Sequence, residues 1–172
     1  MSNLSTSYMG LTLKNPVVVS PSPQSEKIDN IKKMEDAGAA AVVLHSLFEE
    51  QITLQSQELN ANLLQGTDSF AEALSYFPAT DEYKMGPEGY LEHVRRAKEA
   101  VGIPIIGSLN GISSGGWVDF AQRIEEAGAD ALELNVYFIP TNLDMHVAAI
   151  SEQYENLVGD VKAAVKIPVA VK

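Results

Sequence analysis

The chain has no cysteine, which removes disulfides, thiolate metal sites and a cysteine nucleophile from the possible chemistry. It is also poor in cations, with 12 Lys and Arg against 23 Asp and Glu and a formal net charge of -11. Nucleic acids and anionic membranes need a basic footprint, so neither is an expected partner. No apolar run approaches the ~20 residues that span a bilayer, and Met1 to Ser7 lack the basic and apolar regions of a signal peptide. A cytoplasmic location is the expectation. No Gly-x-Gly-x-x-Gly follows the first apolar strand, which counts against a dinucleotide-binding Rossmann unit.

What is present suits one domain over residues 1–172, since a chain of this length that is 45% hydrophobic can bury a sizeable core. The most informative stretch is Glu126-Ala127-Gly128-Ala129-Asp130-Ala131-Leu132-Glu133-Leu134-Asn135. Gly128 stands where a helix end needs a left-handed residue, and the apolar run after it stops at Asn135. This is a helix end, a turn and a strand that carries polar groups to one rim.

The same grammar recurs along the chain. Tyr8 to Lys14 reads as a short strand, and Val17-Val18-Val19 as a strand buried on both faces. Ser25 is placed to cap a helix carrying Ile28, Ile31 and Met34 on one face. Ala41 to Leu44 makes a second strand that runs out at His45-Ser46. The long connection from Leu47 to Gly86 reads as a lid, binding loop or oligomer contact. A helix from Pro87 to Ala100, a strand from Ile103 to Ser108, a helix bearing Trp117, Phe120 and Ile124, and a helix from Val147 to Val165 follow. The chain finishes on Ile167 to Lys172.

Two internal echoes point to successive βα units. Glu35-Asp36-Ala37-Gly38-Ala39 answers Glu126-Ala127-Gly128-Ala129-Asp130, and Ala100-Val101-Gly102-Ile103-Pro104-Ile105 answers Ala164-Val165-Lys166-Ile167-Pro168-Val169. Five such strands fit either an open doubly wound sheet or part of an eight-stranded barrel. A lysine at the end of the last strand, as at the working rim of a barrel, tilts the reading toward an incomplete TIM-type (β/α) barrel of about five strands.

In such a barrel Ser20, His45, Ser46, Ser108, Asn110, Asn135, Tyr137 and Lys172 would face a common cavity, with Ser22 in the loop after the first strand. Uncharged hydrogen-bonding groups and one cation suit a planar, polar, partly anionic ligand better than a metal. Each residue also has a plainer reading: Lys172 as a solvated terminus, His45 as a satisfied histidine at a strand edge, and the asparagines as ordinary loop residues.

Leu13-Lys14-Asn15-Pro16, Ala37-Gly38-Ala39 before His45-Ser46, Ser108-Leu109-Asn110-Gly111, Glu133-Leu134-Asn135 and Pro168-Val169-Ala170-Val171-Lys172 together resemble the dihydroorotate dehydrogenase family. The resemblance runs over almost the whole chain, in order, and corresponds to the family's N-terminal portion. It implies a flavin-binding (β/α)8 barrel in which FMN takes a hydride from dihydroorotate, giving orotate in pyrimidine biosynthesis. It also implies that the Ser20 to Ser22 loop, Ser46, Ser108, Asn110 and Asn135 approach the flavin or substrate. Lys172 matches the lysine near the flavin's pyrimidine edge.

Three departures stand out. Phe138 occupies the position of the family's Cys or Ser base, which makes Tyr137 or His45 the substitute. His45 replaces a lysine expected just before Ser46. The substrate loop is reduced to Tyr83-Lys84-Met85-Gly86-Pro87. A complete barrel runs to ~250 residues or more, so the chain reads as a fragment or a half-barrel. A small-molecule substrate and a homo-oligomer are expected, and a non-catalytic, partner-dependent subunit is the competing reading.

Overall fold

The computed structural model describes residues 3–48, 86–111, 114–136, 141 and 145–172. An antiparallel hairpin opens the chain, β1 (Thr6–Tyr8) against β2 (Leu11–Leu13). Then come β3 (Val18–Val19), a 3-10 turn (Pro23–Glu26), α1 (Ile28–Asp36), β4 (Ala41–Val43) and β5 (Leu47–Phe48). The second part comprises α2 (Pro87–Ala100), β6 (Ile105–Gly111), α3 (Ser114–Glu126), β7 (Ala131–Val136), α4 (Val147–Ala164) and β8 (Val169–Val171).

The main sheet is parallel in the order β3-β4-β6-β7-β8, with β5 continuing beside β6. Spatial order therefore follows chain order. A doubly wound sheet reverses direction at a switch point, whereas a barrel adds each strand on the same side. The open-sheet alternative is excluded, and the fold is a curled parallel half-barrel.

Alternation along the strands separates two cores. Val42, Leu44, Ile105, Leu109, Leu132 and Leu134 pack outward against the helices, among them Ile31, Trp117, Ile124 and Leu157. Val43, Ile106 and Ala131 face inward, where Leu13 of the hairpin closes over them. The hairpin thus covers part of the inner face and leaves the carboxyl ends of the strands as the open rim.

The turns from α1 to β4 and from α3 to β7 use the same cap. Gly38 (φ 102) and Gly128 (φ 97) adopt the left-handed conformation that glycine enters without steric cost. The following N–H groups reach back five residues, Ala39 to the Met34 carbonyl at 3.0 Å and Ala129 to the Ile124 carbonyl at 3.3 Å, as in a Schellman motif. Three residues before each glycine, a carboxylate holds the loop that opens the next strand. Glu35 accepts the Gly102 N–H at 2.9 Å, and Glu125 accepts those of Lys166 at 2.9 Å and Ile167 at 3.0 Å. The two sequence echoes are the two sides of one repeated contact.

At Gly107 the constraint is space. A Cβ there would lie 2.5 Å from Ile124 Cγ2, where α3 rests on the sheet. Gly107→Ala is expected to cost about 1–3 kcal/mol through overpacking, read as a lowered urea midpoint with unchanged slope.

Some expectations change. β3 pairs only with β4 among the described residues, and Val17 is 57% exposed, so this strand is an edge and not buried on both faces. Ser25 does not cap α1. It is fully buried in the 3-10 turn, its hydroxyl donates to the Ser22 carbonyl at 2.8 Å, and Lys27 takes the cap position without a side-chain bond. The third strand begins later and runs further than Ile103 to Ser108. Most of the Leu47 to Gly86 connection lies outside the described residues.

Candidate functional site

Partners in a parallel ladder project to the same face, so the register builds the site layer by layer. Above the inward row Val43, Ile106 and Ala131 comes Ser108 beside Glu133 beside Ala170, and above that Asn110 beside Asn135. Lys172 follows Ala170 by two residues and its backbone N–H donates to the Leu134 carbonyl at 2.8 Å, which sets it next to Asn135. Ser46 stands opposite Ser108, and their hydroxyl oxygens are 2.8 Å apart. The structure thus brings Ser46, Ser108, Asn110, Asn135 and Lys172 to one face. Ser20 lines a neighbouring cavity of about 360 Å³ with Val18, Val43 and Glu133 under the hairpin residues Thr6 and Tyr8.

His45 and Ser22 are placed elsewhere. Val43 pairs with Ile106 and Leu47 with Leu109, so four steps along β4–β5 match three along β6 and one residue is extra. This is a bulge, and it redirects side chains. The His45 ring packs on α2, 5.1 Å from the Tyr90 ring and 5.5 Å from that of His93, while its backbone N–H donates to Ser25 Oγ at 2.7 Å. Ser22 sits at the 3-10 turn, its carbonyl accepting the Ser25 N–H at 3.1 Å. Tyr137 and Phe138 lie outside the described residues, as does Tyr83-Lys84-Met85.

The bulge leaves a gap in the ladder, and a side chain fills it. In β6 the carbonyl of Ile106 faces β4, accepting the Leu44 N–H at 2.9 Å, whereas that of Ile105 faces β7. The polar backbone of Ser108 therefore also points at the β4–β5 side, where the bulge removes its partner. Tyr90 supplies the replacement: its hydroxyl accepts the Ser108 N–H at 2.9 Å and donates to the Ser108 carbonyl at 3.3 Å. Burial pushes the Tyr90 phenol well above its usual value, with the Ser108 bond opposing and the Glu133 charge adding to the shift. It stays protonated and can serve both backbone groups.

The two histidines shift the other way. Burial, then the neighbouring His93, lowers His45 to about 4. Burial also lowers His93, outweighing its bond to the Ser25 carbonyl at 2.7 Å, which requires a proton on Nε2. Both folded-state values lie below the unfolded one, so below about pH 6.5 the unfolded chain binds more protons than the folded one. Stability is expected to be level above that pH, as far as these groups are concerned, and to fall on acidification toward pH 4. Urea midpoints across this range, with a flatter profile in His45→Gln, check it.

Among the described residues, buried acceptors without a hydrogen-bond partner include Asn110 Oδ1 and Glu133 Oε1. Such atoms cost free energy unless a donor arrives. Glu133 is 9% exposed, and Oε1 lies 3.7 Å from Lys172 Nζ, ion-pair distance but beyond a hydrogen bond. In the sequence Glu133 stands out only as part of the Glu133-Leu134-Asn135 motif. The signal that marks it is a charge in an otherwise buried strand at the parity of Asn135.

No family model matches the chain. It is 30% identical over 173 residues to the catalytic subunit of dihydroorotate dehydrogenase B (NAD(+)) from Thermoplasma volcanium, covering 100% of this chain and 54% of that protein. Against the Thermoplasma acidophilum protein of the same name the figures are 27%, 100% and 54%. The chain spans about half the length of these curated relatives and matches their N-terminal half. Among solved structures, a dihydrodipicolinate synthase from Bacillus anthracis superposes with a TM-score of 0.55 at 12% identity, over 90% of this chain and 44% of that one. That likeness shows the fold alone.

Proposed function

From the premise that this chain is dihydroorotate dehydrogenase-like and matches the N-terminal portion of those enzymes, we propose that it forms the ring-binding rim of an FMN-dependent oxidoreductase. The observation that carries the reading is the convergence of Ser46, Ser108, Asn110, Asn135 and Lys172 on one face, at the strand ends where barrel enzymes work. The residues fit a flat heterocycle: among the described residues no donor reaches the buried oxygen of the Asn110 amide, and Lys172 offers an ammonium. FMN, when bound, supplies the hydride acceptance. Lys172 would place a positive charge at the electron-rich edge of the ring, and the asparagines and the serine pair would orient it.

The proposed substrate is dihydroorotate or a related small molecule, oxidised in a cytoplasmic enzyme. Among the described residues no helix is long and apolar enough to cross a membrane. Phe138 cannot accept a proton, so base catalysis falls to another group. Tyr137 is our assignment on sequence adjacency, and His45, packed on α2, is not. The test is anaerobic mixing of the purified protein, expressed from its entire reading frame, with dihydroorotate. Bleaching of the flavin's visible absorption supports the substrate assignment, and a flavin that stays oxidised rejects it.

A further inference from the structure

We infer that Glu133 is a positioning residue that holds the Lys172 ammonium over the inner face. The inference deepens the flavin reading and rests on it for its ligand. Three observations carry it. Glu133 and Ala170 are partners in the β7–β8 ladder, so Lys172 rises from the same face one layer further on. Glu133 is buried while the Lys172 side chain is 56% exposed, so the fixed member of the pair is the acid and the mobile member the base. Finally, among the described residues Glu133 Oε1 has no hydrogen-bond partner, and the Lys172 ammonium lies 3.7 Å from it.

A buried carboxylate is costly without a counter-charge, and a lysine on a four-carbon stem loses rotamer freedom when it is pinned. Each group offsets the cost of the other. The inner-face strand puts an anion where hydrophobic residues would pack more cheaply, and the return is an ammonium held at one place on the rim. Lys98 shows the contrast on the outer side, where its ammonium meets Asp130 at 2.7 Å and serves the strand entrance, the same carboxylate accepting the Ile105 N–H at 2.7 Å.

The experiment has two readouts. The first needs no flavin: the rate at which an amine-acylating reagent modifies Lys172 at fixed pH, followed by peptide mass spectrometry. Releasing the ammonium in Glu133→Gln should speed labelling about fivefold, the size of a partly buried ion pair. Glu133→Asp, which keeps the charge but shortens the reach, should fall between and guards against a folding defect in the first variant. The second readout is FMN affinity in the protein from the entire reading frame. Glu133→Gln should weaken it about fivefold in the wild-type background and by less than about twofold in Lys172→Met, because the acid acts through the lysine. Unchanged labelling in both variants, or equal loss of affinity in the two backgrounds, overturns the inference. If no form of the protein binds FMN, the flavin reading fails while the labelling rates still decide the role of Glu133.

Discussion

Tyr90→Phe is expected to destabilise the protein by roughly 2–4 kcal/mol, because it orphans two buried backbone groups at about 1–3 kcal/mol each. The phenol oxygen is the partner of both the N–H and the carbonyl of Ser108, at the place where the β4–β5 bulge withdraws the strand that would otherwise serve them. Tyr90 is fully buried and the ring remains in Tyr90→Phe, so the loss reports the hydroxyl and not a cavity. Chemical denaturation with an unchanged slope measures it. The effect reaches the site as well, since Ser108, whose backbone Tyr90 holds, meets Ser46 hydroxyl to hydroxyl. A loss below about 0.5 kcal/mol would show that water or another group replaces the phenol.

The second large effect is on the proposed ligand. Lys172→Met is expected to weaken FMN binding about 10- to 100-fold, the range for a lost hydrogen bond from a charged donor. The aliphatic stem is largely retained, so packing changes little. The Lys172 side chain is 56% exposed and caps no core, which makes general unfolding of this variant unexpected. Equilibrium titration of the apoprotein, followed by flavin fluorescence, gives the number. Undiminished affinity would remove Lys172 from the site.

Much of this architecture was legible in the residues because local chemistry demanded it. Gly38 and Gly128 stand where only glycine enters the left-handed region cheaply, and the apolar runs after them became β4 and β7. The ends of α2 at Pro87 and Ala100 followed from the proline in its first turn and the break at Gly102. The echoes showed repeated units, but barrel or open sheet was decided by strand order, a tertiary property that neither echo contains. Ser46, Ser108, Asn110, Asn135 and Lys172 could be nominated because each ends a buried run.

What was hidden depended on contacts distant in sequence. The bulge at His45 arises from pairing with β6 and is completed by Tyr90, 45 residues further along the chain; simple alternation from Val43 would have turned His45 inward and Ser46 outward. Ser25 looked like a helix cap, yet it is buried beneath the His45 backbone and bonds there. Val17 looked like core and lies at an edge, since a strand's apolar run does not say how many neighbours it has. The role of Glu133 is not legible locally because its partner, Lys172, follows the end of the next strand.

The most direct test of the account is the visible absorption spectrum of the protein purified from its entire reading frame, before and after incubation with FMN and removal of the excess. The account predicts the bands of a bound oxidised flavin, retained through gel filtration with the protein. A colourless protein that releases all added FMN would contradict it.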